Sequence, residues 1–115
     1  MRITASVCGA VAMVVLAAAT ASAGQGTAEK GAAVYAAQKC SMCHSVAGKG
    51  GKLALDGASS NLNKLSAADI TEWIVKPAEA AKKHASTAKP PMKAYPSLPK
   101  EDLDNLVAYM VSLKK

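Results

Sequence analysis

The chain has 115 residues and a formal net charge of +6 at pH 7. This length allows one small domain. Half of the residues are hydrophobic, but Phe is absent and there is one Trp, so the core would consist mainly of small side chains. A domain of this kind often needs a cofactor or a covalent link to be stable. Arg2 is the only arginine and aromatic residues are few, which argues against nucleic-acid binding.

The first 23 residues predict an export signal. Met1 and Arg2 give a short positive start, residues 7–19 are apolar, and residues 21–23 have the small-x-small form of a cleavage site. We therefore expect residues 1–23 to be a signal peptide and residues 24–115 to be the mature domain. The alternative is an uncleaved membrane anchor, for which the Ala-rich run is marginal in length.

The sequence is organised around Cys40, Cys43 and His44, which form the C-x-x-C-H pattern of haem attachment. If residues 39–44 are helical, Cys40 and Cys43 lie about one turn apart on the same face. They can then form thioethers with the two vinyl groups of one haem. His44 follows directly, and its neutral imidazole is a good ligand for the iron. Haem attachment is therefore the favoured interpretation of these three residues.

Three other interpretations of the motif have less support. A disulfide between Cys40 and Cys43 would leave His44 without a role. A zinc half-site would need two further ligands, and only Cys8 and His84 remain, at no zinc-like spacing. A thioredoxin-like redox pair would need a βαβ context, which the sequence pattern lacks.

From about residue 26 to residue 113 the sequence resembles the class I c-type cytochromes, which are small, single-haem electron carriers. The resemblance rests on the early Cys40-x-x-Cys43-His44 motif and on the later Pro91-Met92 pair. An early motif argues against the cytochromes c′, in which it lies near the C-terminus. The resemblance implies an all-α fold whose N- and C-terminal helices pack across each other around one covalently bound haem c. It also implies haem attachment outside the cytoplasm, so we expect the exported protein in the periplasm.

Met92 is the candidate for the second axial ligand, because it lies on a proline-rich segment and matches the Pro-Met element of the family. A Met sulphur opposite His44 gives a six-coordinate, electron-transferring haem and raises its reduction potential. His84 would instead give a bis-His haem. Met110 falls on a helical stripe, and Met42 is too close to His44 to reach the other side of the ring.

The competing function is a haem protein with an open or displaceable sixth site, which acts as a peroxidase or binds diatomic gases. The sequence suggests no dedicated distal acid or base, since His84 is the only spare histidine of the mature chain. We therefore expect an electron carrier rather than an enzyme, with no catalytic residues.

Four helical segments are expected around these ligands. Thr27 is the expected N-cap of a first helix that runs into the haem motif, and the family suggests that Gly31 lets Tyr109 of the last helix approach. Residues 45–63 are expected to be a Gly-rich loop. There, a backbone carbonyl near Ala54 replaces the usual proline carbonyl as acceptor for the His44 imidazole. The remaining signals are a capping box from Ser66 to Asp69, a core position for Trp73, a stop at Pro77, a short helix over 78–84 and an apolar stripe along 97–115.

Five lysines flank the segments that would hold the haem: Lys39, Lys49, Lys52, Lys89 and Lys93. They predict docking to redox partner proteins with acidic surfaces, such as a reductase, an oxidase or a reaction centre, by electrostatic steering. The alternative is ordinary solubilising charge. We expect a monomer that meets membranes only through such partners.

Overall fold

The first and last helices of the domain cross each other and form the centre of the fold. The computed structural model describes residues 26–115, and the predicted signal peptide lies outside this range. Helix α1 spans Ala28–Ala37, α2 Ala67–Val75, α3 Pro77–Lys83 and α4 Lys100–Leu113. Helix α1 packs on α4, and α2 packs against both α3 and α4. The predicted all-α fold with crossed terminal helices is confirmed. Within residues 26–115, no helix has the length and apolar character needed to cross a membrane.

The helix crossing depends on a direct approach of two backbones at Gly31. A Cβ atom on this residue would overlap the Asn105 carbonyl oxygen and the Tyr109 Cβ, so only glycine fits. Next to it, the rings of Tyr35 and Tyr109 meet edge to face, with centroids 5.5 Å apart. The expected contact between Gly31 and Tyr109 is therefore confirmed. The Asn105 Oδ1 also accepts a hydrogen bond of 2.9 Å from the Thr27 N–H, which fixes the start of α1.

A small apolar core lies between α1, α2 and α4. Trp73, which we expected in this core, is half-buried and lies against His84 instead, with ring centroids 6.2 Å apart. The reason is helical geometry, because the buried face of α2 is formed by Ile70 and Ile74, and Trp73 points to the side of that face. The buried side chains of the core are Tyr35, Leu62, Ile70, Ile74, Leu106 and Met110.

The segment between α1 and α2 contains a small three-stranded sheet that the sequence did not predict. Strand β1 (His44–Val46) lies between β2 (Lys49–Gly50) and β3 (Leu53–Ala54), antiparallel to β2 and parallel to β3. Strands of two or three residues are too short to show an alternating pattern, which is why a loop was expected. Gly51 lies so close to the Cys43 backbone that a Cβ would overlap it. The absence of a side chain at Gly51 therefore allows the strands to pair.

Helices α2 and α3 are fixed at their ends by the signals found in the sequence. The capping box is confirmed, since the Ser66 Oγ accepts from the Asp69 N–H and the Asp69 carboxylate accepts from the Ser66 N–H, each at 3.1 Å. Pro77 ends α2 and begins α3. The Lys83 ammonium then bonds the Asp69 carboxylate at 2.9 Å and links the two helices. This bond and the capping contacts of Ser66 hold the pKa of Asp69 well below its ordinary value.

The carboxyl end of the chain is bonded to the turn before α2. Helix α4 ends at Leu113, so the last two lysines lie beyond the helix. The Lys114 ammonium donates to the Leu65 carbonyl, and the Lys115 backbone N–H donates to the Asn63 Oδ1 at 2.8 Å. These bonds hold the 3-10 helix Asn61–Lys64 against the end of α4.

We predict that Gly31→Ala destabilises the protein, although alanine favours a helix more than glycine does. The added Cβ would meet backbone atoms, so overpacking should cost about 2–3 kcal/mol, the upper part of its usual range. The gain in helix propensity offsets about 1 kcal/mol of this cost, which leaves a net loss of about 1–2 kcal/mol. Guanidinium unfolding of the haem-loaded protein measures this difference. Ala33→Val on the exposed side of α1 is the control and should cost less than about 0.7 kcal/mol. Equal losses for the two variants would contradict a close approach at Gly31.

Candidate haem site

One tight turn brings the two thiols of the motif to the same side. Helix α1 ends at Ala37, and Lys39 takes a left-handed conformation with a φ of 58°, which turns the chain out of the helix. Residues 40–42 form a 3-10 turn, in which the Cys43 N–H donates to the Cys40 carbonyl at 3.2 Å. A 3-10 helix has about three residues per turn, so residues i and i+3 are eclipsed. Cys40 and Cys43 therefore share a face, although the expected helix through residues 39–44 is wrong.

Both cysteines are free thiols. Cys40 is half-buried and Cys43 is exposed, and no disulfide joins them. Within residues 26–115, no group of three or more His, Cys, Asp or Glu side chains converges as it would around a metal ion. Cys8, one of the two remaining zinc candidates, lies outside the described residues.

The imidazole of His44 is held by the small sheet. Strand β3 pairs with β1 so that Leu53 lies beside His44, and the Leu53 carbonyl oxygen is 3.2 Å from the His44 Nδ1. A carbonyl can only accept, so Nδ1 carries the proton and Nε2 keeps its lone pair for a metal. The acceptor expected near Ala54 is thus one residue earlier. On the main chain, the His44 carbonyl accepts hydrogen bonds from the Tyr35 hydroxyl at 3.2 Å and from the Gly51 N–H at 3.0 Å.

Met92 lies on the segment between α3 and α4. Its side chain is half-buried and packs against the core, as do those of Cys40 and Leu55. Three residues later, the Tyr95 hydroxyl donates to the Gln38 carbonyl at 3.1 Å, just before the motif begins. This bond joins the chain that follows Met92 to the end of α1 that carries the thiols.

The other candidate ligands lie in different surroundings. His84 stacks on Trp73, and its Nε2 lies 3.6 Å from the Asp69 carboxylate, so it takes part in the contact between α2 and α3. Met110 is buried in the core, as its place on the helical stripe indicated. Met42 lies between the two cysteines with 75% of its surface exposed.

A family model described as cytochrome c matches residues 28–114. This match spans nearly all of the described domain and includes both the thiols and Met92. The chain belongs to the cytochrome c family. No curated protein and no solved structure matches the chain significantly.

Members of the cytochrome c family bind haem c covalently, and the residues of this cytochrome c fit that cofactor. Two free thiols share a face, and the adjacent imidazole presents a free nitrogen. Leu53, whose carbonyl holds that imidazole, has 52% of its surface exposed and so offers an apolar surface beside it. A porphyrin is a large apolar group, and it would add the buried volume that the small core lacks.

Burial shifts the ionisation of the groups around the motif. It lowers the pKa of His44, and the hydrogen bond to the Leu53 carbonyl opposes this effect. A lowered pKa keeps the imidazole neutral, which is the form that binds a metal. Burial also raises the pKa of the Cys40 thiol and of the Tyr35 and Tyr95 hydroxyls, so all three stay protonated at neutral pH.

The supporting roles of three residues at the site could not be predicted from the sequence. The hydroxyls of Tyr35 and Tyr95 hold the main chain at the two ends of the motif, and the buried Ser60 holds the loop that follows β3. The bond from Tyr95 joins residues 57 positions apart, and no local pattern in the sequence indicates such a pair. Ser60 lies in a run of small polar residues that is typical of any loop.

We predict that Ser60→Ala destabilises the loop behind His44. The Ser60 Oγ donates to the Leu55 carbonyl at 2.9 Å and accepts from the Leu62 N–H at 3.2 Å. Removing it leaves buried polar groups without a partner, which should cost about 1–2 kcal/mol in denaturant unfolding of the haem-loaded protein. Ser59→Ala, at the exposed neighbouring position, is the control and should change stability by less than about 0.5 kcal/mol. A loss no larger than that of the control would show that the loop does not depend on Ser60.

Proposed function

We propose that this cytochrome c is an exported single-electron carrier in which Cys40 and Cys43 attach the haem and His44 and Met92 bind its iron. The observation that carries the proposal is the arrangement at His44. Its Nδ1 is held by the Leu53 carbonyl, its Nε2 is free, and two free thiols lie within the four residues before it. The bound haem supplies a one-electron couple, and the protein attaches, orients and encloses it.

Cys40 and Cys43 would each form one thioether bond. The S–H bond of each thiol adds across a vinyl group, so that a carbon–sulphur bond forms and the hydrogen goes to the vinyl carbon. No oxidant is needed, because the addition is redox-neutral. The 3-10 turn supports this role, since it presents both sulphur atoms from one face to the same ring.

His44 and Met92 would bind the iron as neutral ligands. The bond from Nδ1 to Leu53 fixes the orientation of the His44 ring, and the short sheet fixes Leu53. Such support limits movement of the ligand when the charge of the iron changes. Met92 supplies a thioether from a half-buried position, and this ligand raises the reduction potential.

The surroundings of His84 favour a carrier over an enzyme. A peroxidase needs a distal acid or base, and His84 is the only other histidine among residues 26–115. It is stacked on Trp73 and lies next to Asp69. We therefore propose that electrons pass through the haem edge to protein partners without substrate chemistry.

We also propose that residues 1–23 direct export to the periplasm and that the exposed lysines around the site steer acidic redox partners. Lys39, Lys49 and Lys52 flank the motif and the small sheet, and all three are exposed. Lys89 and Lys93 lie on either side of Met92 and are also exposed, with the Lys93 ammonium 5.5 Å from the centre of the Tyr95 ring. Charges of one sign near the haem edge would raise the rate of encounter with acidic surfaces.

Replacement of Met92 tests the axial ligand. The ferric protein should show the absorption band of a methionine–iron bond at about 695 nm, and Met92→Ala should lose it and lower the reduction potential by on the order of 100 mV. Met42→Ala is the matched control, because Met42 is exposed, and it should keep both properties. A band that survives in Met92→Ala would contradict the assignment. A wild-type protein that lacks the band and is high-spin would favour the open-site function instead.

Ionic strength and two double variants test the docking role of the lysines. Ferricyanide is an anionic one-electron acceptor, and its reaction with Lys49→Gln/Lys52→Gln should be about two- to fivefold slower than with the wild type at low ionic strength. The control Lys30→Gln/Lys64→Gln removes the same charge from exposed positions outside the segments that would hold the haem and should slow the reaction less. Salt should reduce the difference. Equal rates for the two double variants would show that only net charge matters.

A further inference from the structure

The segment that carries Met92 has little support of its own. None of the hydrogen bonds among residues 26–115 involves residues 89–94. On the N-terminal side, the last bond is a weak one from the Ala88 N–H to the Ser86 hydroxyl at 3.4 Å. The proline-rich chain is stiff, but stiffness alone does not fix where it lies relative to the motif.

Tyr95 makes the first bonds that attach this segment to the rest of the domain. Its backbone N–H donates to the Ile74 carbonyl at 2.9 Å, and Ile74 is a core residue of α2. Its hydroxyl donates to the Gln38 carbonyl at 3.1 Å, at the end of α1 and two residues before Cys40. One residue therefore holds the segment to both α1 and α2, three positions after Met92.

We propose that Tyr95 is a positioning residue for Met92 and that its hydroxyl holds the methionine against the iron. This inference rests on the proposed function, in which Met92 is the second axial ligand. Methionine is unbranched and flexible, so its own side chain does little to restrict where the sulphur lies. The restriction has to come from the backbone, and the bond from Tyr95 to Gln38 joins that backbone to the helix end that carries the thiols.

The partner of the Tyr95 hydroxyl makes this bond hard to replace. The Gln38 carbonyl is one of the last carbonyls of α1, which have no partner within the helix. Both Tyr95 and Gln38 are half-buried, so water reaches the pair only in part. When the hydroxyl is removed, the carbonyl loses its partner and the segment loses its only side-chain hydrogen bond to α1. The Met92 segment should then move away from the iron more often.

A similar bond on the other side of the motif shows what is particular to Tyr95. The Tyr35 hydroxyl donates to the His44 carbonyl, so it holds the chain next to the first ligand. Tyr35 lies within α1, whereas Tyr95 lies on the segment that carries the second ligand. Loss of the Tyr95 hydroxyl should therefore weaken the methionine bond and leave the imidazole bond unchanged.

The test is the affinity of the ferric, haem-loaded protein for added imidazole, which competes with Met92 for the iron. Tyr95→Phe keeps the ring and removes only the hydroxyl. We expect it to retain the band at about 695 nm but to bind imidazole about three- to tenfold more tightly than the wild type, the range that one neutral hydrogen bond supplies. Tyr109→Phe removes a tyrosine hydroxyl at the crossing of α1 and α4 and should bind imidazole like the wild type.

A second control separates positioning from general loss of stability. Ser66→Ala removes the cap at the start of α2, at the opposite end of this helix from Ile74, and should cost about 1 kcal/mol of stability. The Ser66 hydroxyl bonds the Asp69 N–H and not the Met92 segment, so the imidazole affinity of this variant should stay at the wild-type value. If Ser66→Ala tightens imidazole binding as much as Tyr95→Phe does, or if Tyr95→Phe has the wild-type affinity, the positioning role of Tyr95 is wrong while Met92 remains the ligand. If the wild-type protein itself lacks the band, the assignment of Met92 fails and the role of Tyr95 fails with it.

Discussion

The close approach of α1 and α4 at Gly31 is the contact on which the rest of the domain depends. Helix α1 has ten residues, and isolated helices of this length are marginal in water. Its position is therefore fixed by contacts with α4. Gly31 packs on the backbone of Asn105, and the ring of Tyr35 packs on that of Tyr109. Because the thiols follow α1 after a single left-handed residue, the crossing also decides where the attachment motif lies. Gly31 lowers the helix propensity of α1, but no side chain fits between the two backbones at this position.

The His44 imidazole is held by a backbone carbonyl of the small sheet. Family members commonly hold the imidazole with a proline carbonyl, and here Leu53 supplies the carbonyl from the edge of a small sheet. That sheet exists because Gly51 can approach the Cys43 backbone. Ser60 then fixes the chain after β3 by holding the Leu55 carbonyl. The orientation of one imidazole thus depends on a series of backbone contacts across the whole loop, and not on the identity of one residue.

Local signals explain why much of the domain could be predicted from the sequence. Four signals that depend on residues close together in the sequence appear in the structure. They are the cap at Thr27, the capping box at Ser66, the stop at Pro77 and the apolar stripe of α4. The motif and the Pro-Met pair were recognised in the same way. Features that depend on contacts between separate elements were not predicted: the stacking of Trp73 on His84 and the bonds from the two tyrosines. The 3-10 turn at the thiols and the sheet are local, but they consist of pieces of two or three residues, which are too short to leave a periodic pattern in the sequence.

The pairing of the first helix with the last one has a consequence for the order in which the protein is assembled. A chain that emerges from its amino end presents α1 and the cysteines long before α4 exists. Until then α1 has no partner, and a ten-residue helix with a glycine inside it does not persist alone. The thiols therefore remain in an open, extended chain throughout synthesis. We therefore expect the thiols to be accessible to modification until α4 packs on α1 and fixes the end of the helix that precedes them.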